Sequence, residues 1–465
     1  MFRCFLGLFI AFCGLAFAQN NNFPIVDDAY CGVYIKELSG DAVLSAYNHD
    51  KSFSPASVTK LITTATALEM LGADYRYETK LQYRGEIEKG VLLGDIIVKG
   101  GGDPTLGSKE FYKDKYAFLD KWVEDIAALN IKEIKGSILV DASIFDNQAI
   151  PNKWIWEDIG NYYGSGVYGL SCFDNSYDLY LSSSGVGELV KIDSMHPSCS
   201  KMNFESQVRG ANSRSDNAYI YGSPWDFNRV VRGTIPAGRA AFKIKGALPN
   251  PPLFLSELFK EKLQENGIEV SGESDVIWQK SNDDFITISS MFSPALSEIV
   301  KITNKNSNNL YAEHLLKTLD VNKDDCANTK DALHKLTDFW KSKGISTDKI
   351  KIYDGSGLSR ANLLTPEFVV SVIGYMYESE NAEAFNNSLA VSGVDGTLKY
   401  FLDKTSLEGC VFGKSGSMSG VRCYAGVVEA SDGKKYSFCI MMNNFTASHT
   451  KAIIAIEDYL LSVFK

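Results

Sequence analysis

The stretch FSPASVTKLITTATALEML, residues 53–71, places Ser57 at the start of an apolar helical pattern, with Lys60 three residues later. Residues i and i+3 share one face of a helix, so the lysine amine can reach the serine hydroxyl. A partly desolvated lysine has a lowered pKa, and its neutral amine can then take the serine proton. The commoner role for a serine that begins a helix is an N-cap that accepts backbone N–H bonds. Ser57 is therefore either a nucleophile with its own base or a helix cap.

Spacing alone does not separate the two roles, because the Ser-x-x-Lys pattern recurs along the chain. The matches include Ser57/Lys60, Ser198/Lys201, Ser346/Lys349, Ser431/Lys434 and Ser448/Lys451. Only Ser57 and Ser448 begin predicted helices. A nucleophile of this kind also needs a second hydroxyl to pass protons, an amide to hold the substrate backbone and a cation to bind an anionic end.

Two Ser-x-Asn segments offer the hydroxyl and the amide. Ser215 lies in SRSDNAYIYG, inside a strand-rich part of the chain, and is interpreted as a chance match. Ser307 and Asn309 lie in NKNSNNLYAEHLLK, at a break inside a helical region. A short loop at such a break can face the start of another helix, so Ser307 and Asn309 are preferred.

The segment VFGKSGSMSGV supplies the cation, because it aligns Lys414, Ser415 and Gly416 along a predicted strand. Glycine at 416 lets a substrate backbone lie close beside that strand. Taken alone, Lys414 reads as an edge-strand charge that discourages aggregation. The order Ser57, Ser307, Lys414 favours an active site instead. Ser448 has no such segments after it and keeps its role as a cap.

The totals exclude several other classes of protein. The chain has 465 residues with 45% apolar and 22% charged, which predicts a folded protein of two or three domains. A net charge of −10 argues against nucleic acid as a partner. The first residues read as a signal peptide, 1–18, with cleavage after Ala18, and no later apolar run is long enough to span a membrane. We therefore expect an exported protein with at most peripheral membrane association.

The cysteines and histidines indicate neither a disulfide framework nor a metal. Seven scattered cysteines follow the signal peptide, which leaves room for a single bridge such as Cys172 with Cys199. The chain has no C-x-x-C and no H-E-x-x-H, so no metal site and no cofactor are expected.

The order of predicted elements indicates an α+β protein closed from its two ends. Residues 31–48 read as two strands, and the last part as a hairpin with an Asp432-Gly433 turn followed by a helix. The middle reads as a β-rich insertion of about 200 residues. The predicted boundaries are 24–78 and 286–465 for the terminal domain, 79–160 and 241–285 for inserted domain II, and 161–240 for inserted domain III.

The three motifs together resemble the active-site set of penicillin-recognising serine enzymes, S-x-x-K, S-x-N and K-[ST]-G in that order. More narrowly, the chain resembles the class C, low-molecular-mass penicillin-binding proteins of the D-alanyl-D-alanine carboxypeptidase/endopeptidase type. The stretches that support this are SPASVTKLIT, GGGDPTL, SNNLYAEHLLK, YDGSGLSRANLLTP and GVDGTLKYF. The resemblance implies a β-lactamase/transpeptidase-like domain, an antiparallel sheet flanked by helices plus a helical subdomain, with large inserted domains.

The resemblance also implies catalytic roles. Ser57 would attack the carbonyl of the D-Ala-D-Ala bond and form an acyl-enzyme, with Lys60 as its general base. Ser307 would relay a proton to the leaving amine, and water would complete hydrolysis.

Further residues would bind the substrate. Asn309 would hold the substrate amide, and Lys414 and Ser415 would bind the terminal carboxylate. Backbone N–H groups of Ser57 and Ser417 would form the oxyanion hole. Thr is commoner at position 415, but both residues carry a hydroxyl, so little loss is expected.

A second set of residues is implied for the distal end of a diaminopimelate side chain, which needs one anion and one cation. Asp158, in KWIWEDIGNYYG, and Arg360, in DGSGLSR, match these roles, with Met418 and Ser419 lining the pocket. The alternative is a surface carboxylate at 158 beside tryptophans, Trp154 and Trp156, that pack a domain interface. Asp103 and Asp354 adjoin glycines and are interpreted as turn-formers.

The predicted function is therefore a serine D-Ala-D-Ala carboxypeptidase or endopeptidase that acts on peptidoglycan stem peptides in the bacterial periplasm or cell envelope. β-Lactams would be covalent inhibitors. The alternatives are a β-lactamase-like hydrolase, an esterase, and a β-lactam sensor or cell-wall scaffold without turnover. Oligomeric state and the balance between the two peptidase activities stay open.

Overall fold

A computed structural model describes residues 26, 29–40, 42–281 and 284–464, so the predicted signal peptide lies outside the described residues. Within them, nineteen strands and ten α-helices are present. The strands are β1 Tyr30–Glu37, β2 Val43–Tyr47, β3 Glu78–Glu88, β4 Val91–Lys99, β5 Glu133–Ile134, β6 Ile138–Asp141, β7 Ser176–Ser183, β8 Lys191–His196, β9 Asn203–Ala211, β10 Asn217–Tyr221, β11 Asn228–Pro236, β12 Arg239–Ala247, β13 Glu269–Val270, β14 Ser274–Ile277, β15 Ile286–Phe292, β16 Ala390–Val391, β17 Val411–Met418, β18 Val421–Glu429 and β19 Lys435–Asn443.

The helices are α1 Thr59–Leu71, α2 Ala117–Ala128, α3 Trp156–Ile159, α4 Pro251–Glu265, α5 Leu296–Lys305, α6 Asn309–Thr318, α7 Thr329–Ser342, α8 Pro366–Glu378, α9 Ala382–Ser388 and α10 His449–Val463. In the part of the chain that the structure describes, none of them combines the length and the apolar character that crossing a bilayer requires.

Strands from the two ends of the chain form one six-stranded antiparallel sheet in the order β16-β17-β18-β19-β1-β2. Strand β18 is buried on both faces. Cys423, Ala425 and Val427 belong to the core on the side of α1, whereas Tyr424 and Val428 belong to the core on the side of α10. This alternation is the period of two that a strand imposes. The predicted α+β domain closed from both termini is confirmed.

Helix α1 lies in the centre of the helical layer and packs against α5, α6 and α8. Every residue from Thr59 to Leu68 is buried. A helix that is buried on all sides is closely packed by its neighbours, so its position is tightly defined. The start of α1 therefore offers a rigid base for a functional side chain.

The middle of the chain forms three further sheets. One is seven-stranded, with β13-β5-β4-β3-β15 in order and β6 pairing with β4 and β14. The other two are three-stranded, β10-β11-β9 and β12-β7-β8. The β-rich middle is thus observed, but it also contains α2 and α4, which the sequence reading did not predict. Trp122 of α2 packs on Phe259 of α4 inside the shared hydrophobic core of this region.

Strand pairing bears on the predicted domain boundaries without deciding them. Residues 286–292 form β15, which pairs with β3 of the seven-stranded sheet. Strand β12 crosses position 241 and pairs with β7. The domain boundaries remain predictions.

Helix α6 ties the middle of the chain to the helical layer through buried polar contacts. The His314 ring lies 2.9 Å from Ser171 Oγ on one nitrogen and 2.9 Å from the Gly102 carbonyl on the other. Lys317 Nζ donates to Asp146 Oδ1 at 2.6 Å. Buried hydrogen-bonded groups of this kind hold one geometry because each lost bond leaves a costly unpaired group.

All seven cysteines after the predicted signal peptide are described, and all are free thiols. The suggested bridge between Cys172 and Cys199 is therefore not formed. Burial raises the pKa of the Cys172 thiol above its usual range, because the charged thiolate is disfavoured away from water.

Candidate active site

Ser57 lies in a single 3₁₀ turn, Ala56–Val58, immediately before α1. The N-cap position of α1 is Val58, and no side chain caps the helix there. Instead, Ser57 Oγ accepts a hydrogen bond from Lys60 Nζ at 3.0 Å. The cap role weighed for Ser57 is thus wrong. By contrast, Ser448 Oγ accepts from the Lys451 backbone N–H at 3.4 Å and does cap α10, as predicted.

The Lys60 side chain is fully buried and faces three acceptors. Besides Ser57, its amine donates to Asn309 Oδ1 at 2.6 Å and to the Ser356 carbonyl at 2.6 Å. Burial lowers the pKa of Lys60 to about 7, while the negative charges of Asp354 and Glu313 act in the opposite direction. Near neutral pH both the charged and the uncharged form of such an amine are therefore populated.

Two of these acceptors orient the lysine as a base. A neutral amine has two N–H bonds and one lone pair, whereas the charged form has three donors. The oxygens of Asn309 and Ser356 can only accept, so they take the two N–H bonds. The lone pair is then left for the Ser57 hydroxyl, which can donate its proton along the 3.0 Å contact. This is the arrangement that general-base activation of a serine needs.

Ser307 and Asn309 lie at the predicted break, between the end of α5 and the start of α6. Ser307 has a positive φ of 57°, an uncommon conformation for a residue with a side chain. Asn308 caps α6 by accepting from the Tyr311 N–H at 3.1 Å. The Asn309 side chain bridges two regions, because Nδ2 donates to the Tyr163 carbonyl at 2.8 Å while Oδ1 accepts from Lys60.

Lys414 lies on β17, the predicted strand, and is fully buried. Its amine donates to Ser307 Oγ at 2.9 Å and to the Ser415 carbonyl at 2.8 Å. Burial holds the pKa of Lys414 well below its usual range, and the positive charges of Lys60 and Arg422 add to this effect. The alternative of a solvent-facing edge charge is therefore wrong. An arriving carboxylate would relieve the cost of this buried cation.

Gly416 brings β17 against the Ser57 turn. A Cβ atom at this position would lie 2.5 Å from the Pro55 carbonyl and 3.1 Å from the Ser57 nitrogen. Only glycine permits this approach without displacement. Next to it, Ser415 is 8% exposed and Ser417 is exposed.

The outer edge of β17 is paired with another strand over only part of its length. Among the described residues, β16 pairs with Phe412 and Gly413 alone. Residues 414–418 lie beyond this pairing, and an open strand edge is the geometry required for a peptide to add as a further strand. The candidate substrate-binding residues on β17 thus border an open sheet edge beside Ser57.

Asp158 belongs to α3 and is half-buried, and Arg360 is exposed. Burial raises the pKa of Asp158, although a hydrogen bond from Tyr163 and the charge of Arg360 oppose the rise. Tyr163 thus adjoins Asp158 through its phenol and Asn309 through its carbonyl. The other two residues predicted for this pocket lie at the end of β17, Met418 partly buried and Ser419 exposed in the turn that follows.

The two tryptophans before Asp158 differ in their surroundings. Trp154 is buried and donates from Nε1 to Asp354 Oδ2 at 2.8 Å, in line with the packing alternative. Trp156 is 56% exposed and so does not fill a core. Asp103 behaves as the predicted turn-former, since it accepts from the Thr105 N–H at 2.7 Å.

Two acidic residues near Lys60 were not predicted as site residues. Asp354 forms a turn as expected, by accepting from the Gly357 and Ser359 N–H groups at 2.9 and 2.6 Å, but its charge also reaches Lys60. Glu313 was not singled out at all. The only signal in the sequence is an acidic residue four positions after Asn309. Its burial, which is unusual for a glutamate, is seen only in the structure.

Ser215 takes no part in this arrangement. It lies on an exposed loop before β10, and its carbonyl accepts from the Ser213 hydroxyl at 2.8 Å. The structure thus brings Ser57, Lys60, Ser307, Asn309 and Lys414 together, from three separate segments of the chain, and leaves Ser215 outside.

The chain is similar in sequence to known carboxypeptidases. The sequence model of the D-Ala-D-Ala carboxypeptidase 3 (S13) family matches residues 18–462. A D-alanyl-D-alanine carboxypeptidase from Actinomadura sp. is 28% identical over 452 residues, covering 94% of this chain and 81% of that protein. The D-alanyl-D-alanine carboxypeptidase DacB of Haemophilus influenzae is 26% identical, covering 89% of this chain and 85% of that protein.

Comparison with solved structures shows the same fold. Penicillin binding protein 4 from Haemophilus influenzae superposes with a TM-score of 0.83 at 24% identity, covering 94% of this chain and 97% of that one. A predatory peptidoglycan endopeptidase from Bdellovibrio bacteriovorus has a TM-score of 0.52 at 16% identity, covering 94% of this chain and 93% of that one.

Proposed function

Since the chain belongs to the D-Ala-D-Ala carboxypeptidase 3 (S13) family, a family of serine peptidases, we propose that Ser57 is its nucleophile and Lys60 its general base. The chain is a serine carboxypeptidase or endopeptidase. The observation that supports these two assignments is the contact of 3.0 Å between Lys60 Nζ and Ser57 Oγ, in a site where the other two acceptors face the same amine.

Acylation follows from this arrangement. The neutral Lys60 amine takes the Ser57 proton while Oγ attacks the carbonyl of the penultimate D-alanine, and a tetrahedral oxyanion forms. The backbone N–H groups of Ser57 and Ser417 stabilise that oxyanion, a role supported by the close approach of β17 at Gly416.

The acyl-enzyme forms when the peptide C–N bond breaks. The proton now on Lys60 passes to Ser307, and the Ser307 hydroxyl donates its own proton to the leaving nitrogen. D-Alanine departs as an amine. Ser307 is suited to this relay because Lys414 donates to its oxygen, which leaves its hydroxyl proton free to point at the substrate. Water then attacks the ester, gives a proton to Lys60, and Ser57 recovers its proton as the ester bond breaks.

Substrate recognition rests on β17 and Asn309. The substrate strand adds along residues 414–418, and its terminal carboxylate binds the buried Lys414 amine and the Ser415 hydroxyl. Asn309 holds the substrate amide. Asp158 and Arg360 bind the ammonium and the carboxylate at the distal end of a diaminopimelate side chain, with Met418 and Ser419 beside them. The substrate class is therefore the peptidoglycan stem peptide.

The same chemistry makes β-lactams covalent inhibitors, because their strained amide presents a carbonyl and a carboxylate with similar spacing. The protein acts outside the cytoplasm, in the bacterial periplasm or cell envelope, which the signal-like residues 1–18 support.

The test is release of D-alanine from a pentapeptide that contains diaminopimelate, measured for the full mature chain and for Ser57→Ala. Ser448→Ala is the matched control, since it removes a helix-starting serine of the same Ser-x-x-Lys spacing whose role is a cap. We expect Ser57→Ala to lose D-alanine release and Ser448→Ala to keep it. Equal release by wild type and Ser57→Ala would contradict the assignment.

A further inference from the structure

Glu313 occupies a position that the acyl-transfer chemistry described above does not use. It lies on α6, four residues after Asn309, so both side chains project from the same face of the helix. Its side chain is 2% exposed. Glutamate is almost never buried to this degree unless it is paired, which calls for an account of what pairs with it.

Its partners belong to the loop that contacts Lys60. Glu313 Oε2 accepts from the Gly355 N–H at 3.0 Å and Oε1 from the Ser356 N–H at 2.7 Å. The Ser356 hydroxyl donates to the same carboxylate. Burial and the charge of Asp354 raise the pKa of Glu313, whereas these three donors oppose the rise and favour its ionised form.

The same loop, residues 354–359, also contacts the general base Lys60. The Ser356 carbonyl accepts from Lys60 Nζ at 2.6 Å, and the Gly355 carbonyl accepts from Thr63 Oγ1 of α1 at 2.7 Å. Asp354 holds the other end of the loop through the Gly357 and Ser359 N–H groups. Glu313 is therefore one residue removed from the lysine amine and acts on it through a peptide unit.

Charge provides a second connection. The buried groups that face Lys60 are Glu313 from α6 and Asp354 from the loop, both of which favour its charged form. The charge of Lys60 in turn lowers the pKa of the buried Lys414 on β17, because the two cations repel. Lys317 lies one turn further along α6, and the negative charge of Glu313 also favours its charged form. In a poorly solvated site each of these charges acts strongly on the others.

We propose that Glu313 is a positioning residue for Lys60: its carboxylate fixes the Ser356 carbonyl against the lysine amine, and its buried charge acts on that amine across the same loop. The inference rests on the proposed roles of Ser57 and Lys60. Glu313 would thus affect catalysis by acting on Lys60, without contacting the substrate.

The experiment is the pH profile of acylation by benzylpenicillin, measured on the mature chain as the second-order rate constant, with the adduct mapped to Ser57 at each pH. Glu313→Gln keeps the size of the side chain and removes its charge. The acidic limb of the profile, where Lys60 loses its proton, should move to lower pH by about one unit, because an opposite charge that favours the lysine cation is gone. The plateau should fall, because a less basic amine is a weaker base.

Two further variants separate position from charge and from folding. Glu313→Asp keeps the charge but shortens the reach, so its limb should stay within about 0.3 pH unit of wild type while the plateau falls about tenfold. Glu383→Gln removes an exposed glutamate from α9 and should leave both features unchanged. Thermal unfolding of each variant shows whether it is folded. If Glu313→Gln does not fold, Glu313→Asp still decides the positioning role.

The proposal is overturned if folded Glu313→Gln is acylated at Ser57 with the wild-type limb, or if Glu313→Asp shows the wild-type plateau. A purely structural role would lower the rate of Glu313→Gln without moving the limb. Failure of the proposed function looks different, since the wild-type chain would then not be acylated at Ser57 at any pH.

Discussion

Replacing Gly416 by alanine is the most direct steric test of the site. The new methyl group would lie 2.5 Å from the Pro55 carbonyl oxygen and 3.1 Å from both Ala56 Cβ and the Ser57 nitrogen. All but one of these atoms belong to the backbone, and the turn that carries them is buried, so no flexible side chain can move aside. The strand and the Ser57 turn must separate.

The size of the displacement follows from contact distances. A carbon and an oxygen that are not bonded prefer a separation of about 3.4 Å, so the gap must open by about 0.9 Å. Ser57 and Ser417 would supply the two oxyanion N–H groups from opposite sides of this gap. A misplacement of about 1 Å in a reacting geometry can cost about 100-fold in rate, which is the decrease we expect in acylation. Overpacking of this kind also costs about 1–3 kcal/mol of stability.

The assay compares acylation by benzylpenicillin and thermal unfolding for Gly416→Ala and for a matched control. Gly374→Ala is that control, because a Cβ at position 374 in α8 meets nothing within 4 Å. Alanine is favoured over glycine inside a helix by about 1 kcal/mol, so this variant should be slightly more stable and fully reactive.

The reasoning is refuted if folded Gly416→Ala is acylated at the wild-type rate. It is also refuted if both glycine variants lose reactivity to the same extent, because the loss would then not depend on the gap between β17 and the Ser57 turn.

Three further results are expected. Acylation should rise with pH through about 7, since the neutral form of Lys60 is the base and burial lowers the pKa of Lys60 to about 7. Lys60→Arg keeps the charge but cannot lose its proton, so it should react at least about 1,000-fold more slowly at every pH. A wild-type rate that does not change with pH would argue against a lysine base. Ser307→Ala should lower D-alanine release by about 100-fold or more, whereas Ser215→Ala on its exposed loop should not change it; the reverse pattern would exchange the two Ser-x-Asn segments. Arg360→Gln should lower kcat/KM about tenfold for a peptide with diaminopimelate but not for one with lysine, which lacks the distal carboxylate. Asp158→Asn should lower kcat/KM for both peptides. Equal effects of Arg360→Gln on the two peptides would show that Arg360 does not belong to the pocket.

The parts of the site that the sequence predicted are those encoded by short local patterns. Ser57 with Lys60 depends on helical spacing, Ser307 on a break between helices, and Lys414 on a strand with a following glycine. Each of these local structures is observed, at the start of α1, between α5 and α6, and in β17. The closure of one sheet by both ends of the chain was likewise readable from strands and a hairpin turn.

The residues that were missed act across long distances in the chain. The Ser356 carbonyl meets Lys60 from 296 residues away, and no local pattern marks a backbone oxygen as a partner. Glu313 resembles any helical glutamate until its burial against the loop is known. The helices α2 and α4 were missed for a related reason, since their buried residues belong to the core of the inserted region and their sequences were not separated from the strand-like runs and loops around them.

The central claim is that Ser57 is a nucleophile activated by Lys60, and intact-mass analysis with peptide mapping after incubation with benzylpenicillin tests it most directly. The account predicts one stable adduct with the mass of the intact β-lactam, mapped to the peptide that contains Ser57 and absent from Ser57→Ala. No adduct on the folded wild-type chain, or an adduct that maps elsewhere and persists in Ser57→Ala, would contradict it.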